Sequence, residues 1–196
     1  MPAERTRRGL GLVWLTAVGI AAAQPAPPSA QRLAECAACH GPGGQAAIAQ
    51  FPSLAGQPRL FIENQLVLIR EGLREVPAMQ ALMHHMEDAE ISALARHFEA
   101  QKPALPPAAP DRARADAGAA LSKKLLCGTC HMPDYRGQNQ VPRLAAQNEA
   151  FLVLSMKQFR DKPGPGRDTI MASTLRGLSD AELEQLAHHL AHYRSP

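Results

Sequence analysis

All four cysteines of the 196-residue chain fall in two pentapeptides, Cys36-Ala37-Ala38-Cys39-His40 and Cys127-Gly128-Thr129-Cys130-His131. Two thiols three residues apart, with a histidine directly after them, form the attachment signature of a c-type haem. Each thiol can add to one of the two porphyrin vinyl groups. The histidine is then held beneath the iron as an axial ligand. The pattern predicts two covalent haems c, attached at Cys36, Cys39, Cys127 and Cys130, with His40 and His131 on the irons.

Other uses of paired cysteines fit less well. A zinc ribbon places its two Cys-x-x-Cys pairs about 15–20 residues apart, but 87 residues lie between Cys39 and Cys127. A thioredoxin-like motif belongs to a βαβ pattern, and no strand alternation surrounds either pair. A disulfide framework suits an exported chain, yet it gives no reason for a histidine after each pair.

The far side of each iron needs a sixth ligand. A soft, neutral thioether favours the reduced metal and raises its potential. Met79 lies 39 residues after His40, and Met171 lies 40 residues after His131. Both are expected in irregular chain following a helix, where a loop crosses the far face. Met83 is the main rival to Met79. Met83 and Met86 otherwise read as core, since flexible methionine fills irregular gaps; Met156 aligns with core residue Leu66, and Met132 adjoins the proximal histidine. His84 and His85 offer a bis-histidine alternative that the second half does not repeat. His97, His188, His189 and His192 read as surface or packing residues, with a stray-metal patch as a minor reading. An iron-bound imidazole donates its other N–H to a neighbouring acceptor, and the Pro52 and Pro142 carbonyls are predicted to take that role.

These ligands must be carried by repeated elements. Phe51-Pro52-Ser53-Leu54-Ala55-Gly56-Gln57 is echoed by Val141-Pro142-Arg143-Leu144-Ala145-Ala146-Gln147, 90 residues on. Ile62, Leu66 and Ile69 mark one helical face, and Leu152, Met156 and Phe159 repeat it. Gly72 ends the first of these helices and the Pro163–Gly166 run ends the second. Ile91, Leu94 and Phe98 likewise match Leu183, Leu186 and Leu190, with Ser179 and Glu182 forming a capping box. The duplication divides the chain into an N-terminal domain at 24–101, a proline-rich linker at 102–112 that acts as a semi-rigid spacer, and a C-terminal domain at 113–196.

Residues 1–23 read as a secretory signal, with Arg5, Arg7 and Arg8 before an apolar run from Leu10 to Ala23. That run falls short of the ~20 residues that span a bilayer. Cleavage after Ala23 is the first expectation and after Ala30 the second, leaving a protein soluble in the periplasm. Two domains of about 80–90 residues bury only modest cores, and the chain is 4% aromatic. A covalent haem would supply the missing apolar mass, so the apoprotein is expected to fold poorly. Residues 24–102 hold 6 Lys/Arg against 8 Asp/Glu, and residues 103–196 hold 12 against 9. That asymmetry suits a dipolar molecule oriented by charged redox partners. No basic stripe with interleaved aromatics suggests nucleic acid.

Residues 31–100 and 113–193 each resemble a class I cytochrome c domain, and the pair resembles the diheme cytochrome c₄ family. The two Cys-x-x-Cys-His motifs, Phe51–Gln57, Met79, Met171 and Leu178–Leu183 carry the likeness. It implies an all-α fold of two tandem domains, each wrapped around one haem, with the haems facing each other across the interface and their propionates near the linker. It further implies a periplasmic electron carrier without substrate chemistry, making peripheral contact with membrane complexes as it passes electrons from a quinol-oxidising complex towards a terminal oxidase. The alternative is the electron-accepting subunit of a periplasmic dehydrogenase that oxidises sulfide, thiosulfate or an alcohol. The chain departs from the family pattern in four places. Met132 replaces a glycine after the haem histidine, His97 and His189 stand where tyrosine is common, Pro27-Pro28 shortens the first helix, and Gly118 has no glycine counterpart in the first half.

Overall fold

A computed structural model of the protein describes residues 26–194, so the expected signal at 1–23 lies outside the described residues. The fold is all-α. In the first half, α1 (Ala30–His40), α2 (Arg59–Arg70), α3 (Pro77–Met83) and α4 (Asp88–Glu99) follow one another. The second half runs through α5 (Arg112–Lys124), α6 (Cys127–His131), α7 (Glu149–Asp161), α8 (Thr169–Leu175) and α9 (Asp180–Ala191). No helix among the described residues is long and apolar enough to cross a membrane.

Local chemistry accounts for where these helices start. Ser29, Asp111, Asn148 and Asp168 each accept a backbone N–H in the first turn of α1, α5, α7 and α8, satisfying donors that a helix end leaves unpaired. The predicted capping box at Ser179 and Glu182 closes the start of α9. Pro77 opens α3, where its fixed φ is already helical and its missing N–H costs nothing.

Each half has its own core. Ile62, Ile69, Met83, Met86, Ile91, Leu94 and Phe98 are buried together, with Leu33, Cys36 and Met79 packed on them. Leu152, Met156, Leu175, Leu183, Leu186 and Leu190 form the second cluster, joined by Leu121, Tyr135 and Met171. The repeated helical faces are therefore the buried ones.

The halves differ at their first helix. α5 packs tightly on α9, and the contact depends on Gly118: a Cβ there would stand 2.1 Å from the Gln185 carbonyl oxygen and 2.7 Å from the His189 Cβ. The position 91 residues earlier is Pro27, which precedes α1 altogether. α1 instead reaches α4 through an Arg32–Glu90 ion pair of 2.7 Å and lays Leu33 and Cys36 on the core. It also runs unbroken through the Cys36–His40 motif. In the second half, Leu126 takes a left-handed conformation (φ 57°, ψ 33°), and the motif forms the separate turn α6. The direction of α5 is fixed by its crossing with α9, so the chain bends before the motif.

The residue after each motif has the same unusual backbone. Gly41 has φ 74° and ψ 163°, and Met132 has φ 71° and ψ 154°. Glycine adopts that conformation without strain, whereas a methionine there costs about 1–3 kcal/mol.

The linker is fastened rather than free. Gln45 accepts from the Ala104 N–H at 2.9 Å and donates to the Lys102 carbonyl. Pro103 lies against Gly56, where an added Cβ would come within 2.6 Å of its ring. The halves also meet directly, through hydrogen bonds from Gln57 and Gln147 to the backbone of Arg143 and Ser53.

Two outcomes follow from this packing. Gly118→Ala should destabilise the second half by about 1–3 kcal/mol through overpacking, read as a lowered denaturation midpoint of the holoprotein. Met132→Gly should stabilise it, by about 1 kcal/mol, by relieving the backbone.

Candidate functional site

The cysteine pairs lie on helical turns, at the end of α1 and on α6, so both thiols of a pair and the histidine share one short rigid segment. All four cysteines are free thiols, although each pair is close in sequence. Burial pushes the Cys36 and Cys127 thiols up from their ordinary values, although their neighbours differ: charged Arg32 and Glu35 at Cys36, the Ser122 hydroxyl at Cys127.

His40 and His131 are buried, at 7% and 4% exposure. His40 Nδ1 lies 2.9 Å from the Pro52 carbonyl oxygen, and His131 Nδ1 lies 2.8 Å from that of Pro142. A carbonyl only accepts, so Nδ1 carries the proton in both rings. Burial lowers both pKa values, against the opposing pull of those carbonyls, and favours the neutral rings. A neutral ring protonated on Nδ1 has its lone pair on Nε2. Each histidine is thus already in the tautomer that an axial iron ligand requires.

Met79 and Met171 are partly buried, one against each core. The expectation of irregular chain is corrected: both are the third residue of a seven-residue helix, α3 and α8. Pro77 opens one helix, and Asp168 caps the other by accepting the Met171 N–H at 2.8 Å. That start signal overrides the loop-like spacing. Met83 and Met86 are 1% and 4% exposed within the first core, and Met156 is 7% exposed in the second.

The C-terminal histidines separate into two kinds. His189 packs edge-on against Tyr135 and Tyr193, at ring distances of 5.7 and 5.6 Å. His188 is buried at 5% exposure rather than lying in a surface patch. Its Nδ1 is 3.0 Å from Glu149, and its Nε2 accepts the Asp111 N–H at 2.9 Å. Glu149 also pairs with Arg114 at 2.9 Å. His188, Glu149 and His192 stand close enough to suggest a metal site, but both His188 nitrogens are occupied in fastening the start of α5.

Two arginines escaped the sequence reading. Arg74 donates to Gln65, and Arg167 donates to Gln158 at 2.8 Å, nine residues back in each case. The loops carrying them touch: a Cβ on Gly166 would lie 2.4 Å from the Leu73 carbonyl and 3.0 Å from the Arg74 Cβ. Desolvation lowers both guanidinium pKa values, and Arg167 lowers that of Arg74 further. Neither forms an ion pair with a carboxylate among the described residues. Two desolvated cations brought together in this way suit an anionic group between the halves. They lie 93 residues apart, out of step with the 90-residue repeat of the preceding helices, which hid the pairing.

These observations fit two c-type haems. Free thiol pairs are available for thioethers, neutral imidazoles present Nε2, thioethers pack on each core, and the facing arginines match the charge of propionates.

The family model for cytochrome c oxidase, cbb3-type, subunit III matches residues 24–97, and that for cytochrome c matches residues 115–193. Cytochrome c4 of Azotobacter vinelandii is 29% identical over 91% of this chain and 94% of its own. The thiosulfate dehydrogenase electron acceptor of Thiomonas intermedia is 30% identical, covering 92% and 85%. The crystal structure of reduced recombinant cytochrome c4 from Pseudomonas stutzeri superposes with a TM-score of 0.76 at 27% identity, over 84% of this chain and 96% of that one.

The matured protein should exceed the mass of its processed chain by two haem groups. Its four cysteines should resist alkylation even after unfolding. Labelling of Cys36 and Cys39 alone would leave a single haem, at Cys127 and Cys130.

Proposed function

This chain belongs to the diheme cytochrome c₄ family, an electron carrier and not an enzyme, and on that premise we propose that it carries electrons through the periplasm on two His/Met-ligated haems. Cys36 and Cys39 hold one porphyrin within a domain at 24–101, and Cys127 and Cys130 hold the other within a domain at 113–196. The stretch at 102–112 joins them. His40 and His131 would hold the irons through Nε2, and Met79 and Met171 would hold them through sulfur. When bound, each haem supplies a one-electron iron couple. The Pro52 and Pro142 carbonyls fix the two imidazoles, and with a histidine and a methionine both held to each iron no ligand position would remain for a substrate.

The observation that carries this reading is the double occurrence of one arrangement. In both halves a buried histidine is oriented by a proline carbonyl, and a methionine stands third in a seven-residue helix. Ser29 caps α1 and supports signal cleavage after Ala23 rather than Ala30. The acidic first half and basic second half support charge-oriented docking, with electrons taken from a quinol-oxidising complex and passed towards a terminal oxidase. A second reading, electron acceptor of a periplasmic dehydrogenase, is favoured by the likeness to the Thiomonas intermedia protein.

Met171→Ala should lower the potential of the second haem, abolish its near-infrared methionine-to-iron band and admit carbon monoxide to the iron. Unchanged spectra would remove Met171 from the ligand set. Met79→Ala should do the same to the first haem, whereas Met83→Leu should spare the spectrum. Stopped-flow reduction separates the two partner readings. Faster reduction by a quinol-oxidising membrane fraction favours the respiratory role, and faster reduction by purified thiosulfate dehydrogenase favours the second.

A further inference from the structure

The contact between the halves has an internal symmetry that packing alone does not require. Gln57 and Gln147 hold the same place in the repeat, and both are buried, at 4% and 5% exposure. The Gln147 carboxamide crosses to the first half. Its Oε1 accepts the Ser53 N–H at 2.7 Å and its Nε2 donates to the Ser53 carbonyl at 2.9 Å. Gln57 returns the same pair of bonds to Arg143, each at 3.0 Å. Ser53 and Arg143 are themselves repeat equivalents.

The atoms involved connect this contact to the histidines. The Ser53 N–H and the Pro52 carbonyl belong to one peptide group. That carbonyl accepts from His40 Nδ1. The Arg143 N–H and the Pro142 carbonyl likewise form one peptide group, which accepts from His131 Nδ1. A peptide whose N–H is hydrogen-bonded has a more electron-rich oxygen, because hydrogen bonds in a chain polarise one another. Each glutamine therefore strengthens the acceptor behind the other half's histidine, and a stronger acceptor at Nδ1 makes the imidazole a more basic iron ligand.

We propose that Gln57 and Gln147 are crossed positioning residues, each setting the electron affinity of the haem in the opposite domain through the proline peptide that holds its histidine. The inference rests on His40 and His131 being the iron ligands. Docking of the halves then tunes both haems at once. A partner that prises the halves apart would make both easier to reduce, since a less basic imidazole stabilises ferric iron less.

The test uses the diheme holoprotein with Gln147→Leu, and Gln57→Leu as the independent second variant. Proton NMR of the half-reduced protein reads the share of reduced iron in each domain from hyperfine-shifted haem and imidazole resonances. Gln147→Leu should raise the ratio of reduced first haem to reduced second haem by about two-fold, within the range of one net hydrogen bond. Gln57→Leu should lower it by a similar factor. The His40 ring resonances should move in the first variant and those of His131 in the second, with the methionine-to-iron bands retained. A shift confined to the haem of the mutated domain, an equal shift in both haems, or no shift would overturn the proposal while leaving the ligand assignment intact. Absence of His40 and His131 ring protons from the hyperfine-shifted set of the unaltered protein would overturn the ligand reading and this inference with it.

Discussion

One hydrogen bond, made twice, sets the constraint that the rest of the structure serves. A buried neutral imidazole presents a lone pair on Nε2 when an acceptor at Nδ1 fixes its proton there. The acceptor is a proline carbonyl 12 residues after His40 and 11 residues after His131. Proline suits the task because its own nitrogen has no hydrogen to satisfy in a buried turn. The chain between each histidine and its proline is thereby closed into a loop. The segments that follow, Ser53–Gln57 and Arg143–Gln147, are placed by the same bond where they can meet each other. Histidine orientation and the contact between the halves thus share one peptide group in each half.

Around that constraint the two halves solve their first helix differently. The second half has a long α5 that crosses α9 at Gly118, then breaks at Leu126 to aim the motif. Among the described residues the first half makes no such crossing, and α1 carries its motif without interruption. It compensates with polar ties: Arg32 to Glu90, and Gln45 to the linker at Lys102 and Ala104. Ion pairs open to solvent commonly contribute under about 1 kcal/mol, and the half-buried Arg32–Glu90 pair offsets its attraction with a desolvation cost. The first half therefore relies more on its core cluster and its neighbour. Met132 shows the converse: a stable crossing in the second half tolerates a strained residue where the first half has Gly41.

Much of this was legible in the residues because the chemistry is local. Two thiols and a histidine within five residues need no tertiary contact to declare themselves, and the apolar faces of α2, α4, α7 and α9 follow from helical period. Pro52 and Pro142 can be named as acceptors because each stands second in the repeated segment that follows its histidine, 12 and 11 residues on. Register alone sets Met79 and Met171 apart from the neighbouring methionines, but it does not reveal their surroundings. Spacing suggested loops, whereas Pro77 and the Asp168 cap nucleate short helices that outweigh it. His188 is a packing residue, as its place on the last helix suggests, but nothing local reveals that Asp111 and Glu149 converge on it.

By itself, then, the sequence determined the cofactor chemistry, the duplication and the helical cores, because each depends on residues a few positions apart. The tertiary structure decided which contacts cross between the repeats. Arg74 and Arg167 stand close together, and Gln57 and Gln147 exchange places on each other's backbone, only because two similar domains dock face to face. Those pairs are about 90 residues apart, and no local pattern encodes a distance that folding alone closes.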